Sequence, residues 1–171
     1  MTLDIVTYPN PLLKEVSQDV VEFGEELHTL LDNMYDTMMI KEGVGLASIQ
    51  VGIPQKILII NLPDKENIQH KEDLIEAINP VILEKDGSTK FKEGCLSVPD
   101  FNEMVIRAKH IKVEFCDRDG NKHIKEYDDF LAVAWQHEMD HLNGKLFIER
   151  LSILKRRKFE KEFKKLHKKR R

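Results

Sequence analysis

Residues 130–143, Phe-Leu-Ala-Val-Ala-Trp-Gln-His-Glu-Met-Asp-His-Leu-Asn, constrain the fold more than any other stretch. At helical spacing Phe130, Val133 and Ala134 share a face with His137 and His141, while Leu131, Trp135 and Leu142 occupy another. A helix that is apolar nearly all round belongs in the core of a domain. Two imidazoles and a carboxylate on such a helix need compensation, and a divalent cation supplies it. Residues four apart have Cβ atoms roughly 5–6 Å apart. His137 and His141 can therefore grip one ion, with Glu138 close enough to handle a proton from a water beside it.

A catalytic metal site wants three protein ligands and one open position. In the pattern HExxHxxGxxH the third ligand is another His; here Gly144 fits, but Phe147 stands where that His would be. A zincin-type metallopeptidase could instead draw a Glu from a later helix, but Glu160 and Glu162 lie in a basic, solvent-facing tail. Upstream, Glu93-Gly94-Cys95-Leu96-Ser97 offers a thiol. A thiolate is a strong ligand for zinc or ferrous iron. Cys116 reads as a small buried hydrophobe on a strand, whereas Gly94 and Pro99 suggest that Cys95 sits in a shaped loop.

The chain has 171 residues, enough for one domain over 1–171 with a substantial core. Its 41% hydrophobic and 33% charged residues describe an ordinary globular protein. No apolar run approaches the roughly 20 residues that a membrane span needs. The opening Met1-Thr2-Leu3-Asp4-Ile5 lacks the basic lead and apolar stretch of a secretory signal, so a cytoplasmic location with two reduced cysteines is expected. Residues 155–171 carry eleven Lys or Arg against Glu160 and Glu162, a local charge of +9 that leaves −12 on the rest. A basic segment of this kind, 152–171, is either a solvated helix face or the meeting point with an anionic partner.

The spacing of Leu27, Leu30, Leu31, Met34 and Met38 predicts an amphipathic helix from Glu25 to Lys41, ending near Gly43. Lys56 to Leu62 reads as a buried strand, and Asn79-Pro80 as a turn between Ile75–Ile78 and Val81–Leu83. Alternation from Ile111 to Phe115, a turn at residues 117–121 and a return over His123–Tyr127 predict a hairpin. Asp128 or Asp129 is the expected N-cap of the metal helix. A last helix, Ser152 to about Lys169, shows Ile153, Phe159, Phe163 and Leu166 as its apolar trace. With no βαβ alternation, the fold class is α+β: small antiparallel or mixed strands around a central buried metal-binding helix, with a C-terminal helix.

Three segments, Gly43-Val44-Gly45-Leu46-Ala47-Ser48-Ile49-Gln50, Glu93-Gly94-Cys95-Leu96-Ser97 and Gln136-His137-Glu138-Met139-Asp140-His141, together resemble the signatures of peptide deformylase, in that family's order. Tyr8-Pro9, Ile78-Asn79-Pro80 and Gly144-Lys145-Leu146-Phe147 extend the likeness over nearly the whole chain. The resemblance implies hydrolysis of the N-formyl group from the formylmethionine of newly made polypeptides. It implies Cys95, His137 and His141 as metal ligands, with Fe2+ the usual ion and Zn2+ or Ni2+ able to replace it. It implies Glu138 as general base, the Gln50 side chain and Leu96 N–H as oxyanion donors, and backbone groups of Val44 and Gly45 against the peptide. Formylated nascent peptides are the implied partner, and relatives dock a C-terminal helix near the ribosomal exit tunnel.

Val44, Phe91, Phe130, Val133 and Ala134 are candidates either for the methionine slot or for plain core. Glu93 either orients substrate or pairs with an Arg, and Asp140 either supports the metal site or faces solvent. Arg107 stands where the family often has a basic residue that meets the peptide. Asn102 replaces a second Arg found in some relatives, and Ser48 replaces a small apolar residue. A third class of reading, a basic-tailed nucleic-acid binder with a structural metal, would need four protein ligands, and three are visible.

Overall fold

The computed structural model describes residues 1–169. Two of the eleven tail cations, residues 170 and 171, lie outside them. Three helices, α1 (Glu25–Ile40), α2 (Asp129–Leu142) and α3 (Ile153–Lys169), accompany seven strands. The strands are β1 (Gly45–Ala47), β2 (Ile57–Ile60), β3 (Ile75–Asp86), β4 (Thr89–Cys95), β5 (Val98–Arg107), β6 (His110–Cys116) and β7 (Lys122–Asp128). A five-stranded sheet runs β1-β2-β3-β6-β7, and β4 and β5 form a separate two-stranded sheet; every pairing in both is antiparallel. The architecture is the expected α+β.

The apolar run at Ile57–Ile60 is explained by its place in the sheet, because side chains alternate faces along a strand. Leu58 and Ile60 join Ala132, Trp135 and Leu142 of α2, together with Ala77, Ile111, Val113 and Phe115. Ile57 and Ile59 join Leu27, Leu31, Met34 and Met38 of α1. The sheet is thus covered by α1 on one face and α2 on the other, which buries α2 almost entirely. Gly144 then ends the helix region with φ 73°, and a side chain there would run into the Lys14 carbonyl.

Several local expectations need correction. Asn79-Pro80 is not a turn: β3 passes straight through it with a bulge between Ile78 and Val81. Asn79 takes φ 53°, and its amide bonds the Val20 N–H at 2.8 Å and the Val20 carbonyl at 2.9 Å. The turn-like residues therefore anchor the incoming N-terminal chain. Asp128 does stand before α2, but its carboxylate is bonded to His110 Nδ1 at 2.7 Å and caps nothing. The loop expected around Cys95 shrinks to Leu96-Ser97, between β4 and β5.

The C-terminal helix is not a free solvated tail. Phe159 is buried among Val98, Phe101 and Val105 of β5 and Phe147, and its ring lies 4.7 Å from that of Phe101. Tyr8 packs edge-on against Phe159 at 5.3 Å and Phe163 at 4.9 Å. Lys158, Lys161, Lys164, Lys165 and Lys168 of α3 are exposed around this aromatic seam, as are Ile153, Leu154 and Leu166. No helix among the described residues is long and apolar enough to cross a membrane.

Candidate active site

The C-terminal end of β4 lies against the middle of α2, and this juxtaposition assembles the site. Single donor atoms of Cys95, His137 and His141 all lie within 4.8 Å of one another. Cys95 Sγ is 3.4 Å from His141 Nε2. A tetrahedral ion with bonds of about 2.0–2.1 Å to nitrogen and 2.3 Å to sulfur spaces such donors about 3.4–3.6 Å apart. Cys116, on β6, packs instead with the α1 side of the core. The thiol and two imidazoles therefore fit a divalent metal, and all three project into one space.

His137 is oriented from behind. Its Nδ1 meets Glu93 Oε1 at 2.8 Å, which leaves Nε2 for the cluster. Glu93 is gripped bidentately by Arg107 at 2.9 Å and 2.9 Å. The same guanidinium donates to Asp140 Oδ2 at 2.6 Å, and Arg150 closes on Asp140 at 2.6 Å and 3.1 Å. Signs alternate along this chain from the surface to the histidine. Burial pushes both carboxyls up, but Arg107 and His137 on Glu93, and Arg150 and Arg107 on Asp140, hold them below the ordinary range. Burial pulls Arg107 down, yet its two carboxylates hold its pKa above the ordinary value.

This network corrects the expectation for Arg107. It is 5% exposed, has every guanidinium nitrogen bonded to Glu93 or Asp140, and does not line the cleft. Glu93 and Asp140 are likewise parts of the ion-pair chain, although an edge of Glu93 reaches the cleft. Arg150, which completes the chain, carried no sequence signal: it lies in a short segment after α2 with no motif around it.

Glu138 is held close to the cluster without a neutralising partner. Its Oε1 is buried and finds no hydrogen-bond partner among the described residues. Its Oε2 packs against Gly45, where a Cβ would come within 2.5 Å. Burial pushes this carboxyl up to about 7, opposed by the charge of His137 and reinforced by Glu93 and Asp140. A proton acceptor is most effective when its pKa lies near the working pH. His137, for its part, is pulled down by burial but raised well above its usual range by Glu138, Cys95 and Glu93, whereas burial and the His137 charge lower His141.

Gln50 is fixed by both ends of its amide. Oε1 accepts from Ala47 N–H at 3.0 Å, so Nε2 must face the cluster, 3.1 Å from Ser97 Oγ and 3.4 Å from Cys95 Sγ. Leu96 follows Cys95 in the turn and lines the same space. The cleft above has a volume of about 870 Å³. Val44, Gly45, Phe130, Val133 and Ala134 all border it, whereas Phe91 stands behind Phe130 with ring centroids 5.4 Å apart.

The N-terminal residues Ile5 and Thr7 and the β5 residue Phe101 also line the cleft, and the sequence reading did not include them. Ser97, within the quoted Cys motif, was a recoverable omission. Asn102, on β5, stands opposite Gly94 of β4, where a Cβ would collide with the Asn102 side-chain oxygen. Ser48 is buried, with Oγ 2.8 Å from the Ile53 carbonyl and 2.7 Å from that of Gln55. Its hydroxyl ties down the loop after Gln50, which a small apolar residue could not do.

Replacing Arg107 tests the ion-pair chain. Arg107→Met should cost about 3–5 kcal/mol in urea unfolding, because it strands two buried carboxylates. Arg107→Lys, which keeps the charge but loses the fork, should weaken metal retention against a chelator by about tenfold or more. Wild-type values for both variants would contradict the role described.

Residues 2–157 match the family model described as polypeptide deformylase. The peptide deformylase of Nautilia profundicola is 55% identical over 169 residues, covering 99% of this chain and 97% of that protein. The crystal structure of a peptide deformylase from Legionella pneumophila superimposes with a TM-score of 0.88 at 37% identity, covering 98% of each chain. The class I type b peptide deformylase of Acinetobacter baumannii, solved with Met-Ala-Ser bound, gives a TM-score of 0.83 at 33% identity over 88% of this chain and 99% of that one. With its cysteine and two histidines converging beside a buried glutamate, this chain belongs to the peptide deformylase family.

Proposed function

We propose that residues 1–171 work as a single catalytic domain in which Glu138 and Gln50 carry out the family's reaction at a metal held by Cys95, His137 and His141. That reaction removes the N-formyl group from the formylmethionine of newly made polypeptides and releases formate. The observation that carries the assignment is the placing of three donor atoms within 4.8 Å beside the buried Glu138 carboxyl, whose Oε1 has no hydrogen-bond partner among the described residues. A divalent ion bound there supplies a Lewis acid that polarises the formyl oxygen and lowers the pKa of water.

The chain's own groups do the rest. Glu138 takes the proton as water attacks the formyl carbon, and returns it to the amine nitrogen as the C–N bond breaks. Gln50 Nε2 and the Leu96 N–H donate to the oxygen that gathers negative charge. The Glu93 carboxylate keeps the His137 proton on Nδ1, so that Nε2 stays a lone-pair donor. Backbone groups of Gly45 hold the peptide, whereas the Val44 carbonyl is taken by the Asn61 N–H; Val44, Phe130, Val133 and Ala134 form an apolar wall for the methionine side chain, with Phe91 as backing. The Met-Ala-Ser bound to the Acinetobacter baumannii enzyme is the peptide this chemistry would leave from formyl-Met-Ala-Ser. Ferrous iron is the resident ion in this reading; a thiolate with two imidazoles also accepts zinc or nickel.

The enzyme acts in the cytoplasm, where its α3 lysines meet ribosomal RNA. Deleting residues 155–171 would confuse that test, because it removes the buried Phe159. Charge removal is cleaner: Lys161, Lys164, Lys165 and Lys168 are all exposed. Converting these four to Gln should cut low-salt ribosome co-sedimentation about tenfold or more, with formate release from a short formyl peptide unchanged. Unaltered co-sedimentation would reject the docking role.

For the chemistry, Glu138→Gln should lower kcat for formate release from formyl-Met-Ala-Ser by about 10²–10⁴-fold, while the variant still binds one metal per chain. Wild-type protein should leave unformylated peptides uncut. Near-normal turnover in Glu138→Gln, or cleavage inside an unformylated peptide, would overturn the assignment.

A further inference from the structure

The outer edge of β1 is secured at both ends, and only one of the two fastenings belongs to the catalytic set. β1 is the terminal strand of its sheet. The Val44 carbonyl accepts from Asn61 N–H at 2.8 Å, and Gly45 stands opposite Ile60. Bonded and non-bonded pairs alternate along an antiparallel ladder. Val44 therefore faces β2, while Gly45 and Ala47 turn their backbone groups to the outer edge, beside the cleft. At the catalytic end Gln50 Oε1 occupies the Ala47 N–H. At the far end Gln69 Nε2 donates to the Gly43 carbonyl at 3.0 Å and to the Asn61 carbonyl at 2.7 Å.

Gln69 is itself held in place. Asp64 Oδ1 accepts from Glu66 N–H at 2.8 Å and Ile68 N–H at 3.0 Å, and its Oδ2 meets His70 Nε2 at 2.7 Å. Asn61 Nδ2 in turn donates to the His70 carbonyl at 2.8 Å. The loop thus folds on its own carboxylate and presents one amide, with two hydrogens, to two carbonyls at the entrance of β1. The need is physical: Gly43 and Gly45 flank Val44, and glycine backbone is costly to order.

We propose that Gln69 is a positioning residue for peptide recognition. By tying the Gly43 carbonyl to Asn61, it fixes the bend through Gly43 and Val44 that leads into β1 before substrate arrives, so that the N–H and C=O of Gly45 can pair with the peptide backbone beyond the formylated methionine. A segment ordered in advance does not have to be ordered by the ligand, and affinity rises accordingly. This rests on the reading of the β1 edge as the peptide's berth.

Kinetics on the metal-loaded full chain test it, with formylmethionine amide and formyl-Met-Ala-Ser as substrates. Wild type should show the lower KM for the tripeptide. Gln69→Glu, the same shape with a carboxylate facing two carbonyls, and Gln69→Ala should both raise KM for the tripeptide about fivefold or more, with kcat within about twofold and KM for the amide unchanged. A tripeptide KM that stays at the wild-type value in both variants would overturn the role of Gln69 alone. An equal loss of kcat on both substrates would also overturn it, because that pattern reports damage at Glu138 rather than at the berth. If wild type gains nothing from the two extra residues, the berth itself is wrong and the proposal falls with it.

Discussion

Six ionisable side chains meet inside the core at the junction of α2 and the β4–β5 sheet: Glu93, Arg107, His137, Glu138, Asp140 and His141, each under 9% exposed. Charges removed from water to that extent must compensate one another, since an uncompensated one costs several kcal/mol. Arg107 satisfies Glu93 and Asp140, and Arg150 satisfies the remainder of Asp140. What is left over is a histidine pair, a thiol and a carboxyl without a cation of their own. A divalent cation held by the three donors would offset the buried Glu138 carboxyl and the Cys95 thiol.

The two sides of the site are built differently, and each suits its task. The ligand side is rigid: α2 is buried between sheet and hairpin, and its second histidine nitrogen is locked by an ion-pair chain. The facing side is the edge strand β1, entered through Gly43 and Val44, with glutamine amides bonded at either end. Gly45 joins the two, because the absence of its Cβ admits the Glu138 carboxylate while its backbone borders the cleft. A side chain at that position would displace the Glu138 carboxylate.

Much of this could be read from the residues alone, and the exceptions have physical causes. The 3.6-residue periodicity of α1 and α2, the apolar run of β2 and the β6–β7 hairpin carry local signals that survive folding. The cluster of Cys95, His137 and His141 was legible because histidines four apart and a cysteine in a glycine-flanked segment are chemically conspicuous. Arg107 was misplaced because the sequence shows its charge but not the register that sets it within reach of Glu93 across β4 and β5. Asn79-Pro80 imitates a turn because a bulge and a turn use the same backbone freedom. Gln69 and Arg150 gave no signal, since a single polar residue acting through backbone carbonyls or a distant carboxylate leaves no pattern in the chain. The tail's basic charge was plain, yet its docking by Phe159 needed the positions of Tyr8 and Phe101.

The most direct test of the account is X-ray absorption at the metal edge of protein purified without air. One sulfur scatterer at about 2.3 Å, two imidazole nitrogens and at least one further light atom not supplied by the protein are expected, with the sulfur shell lost in Cys95→Ser. A first shell without sulfur, or one closed by four protein ligands, would contradict the claim that Cys95, His137 and His141 hold an ion with room left for chemistry.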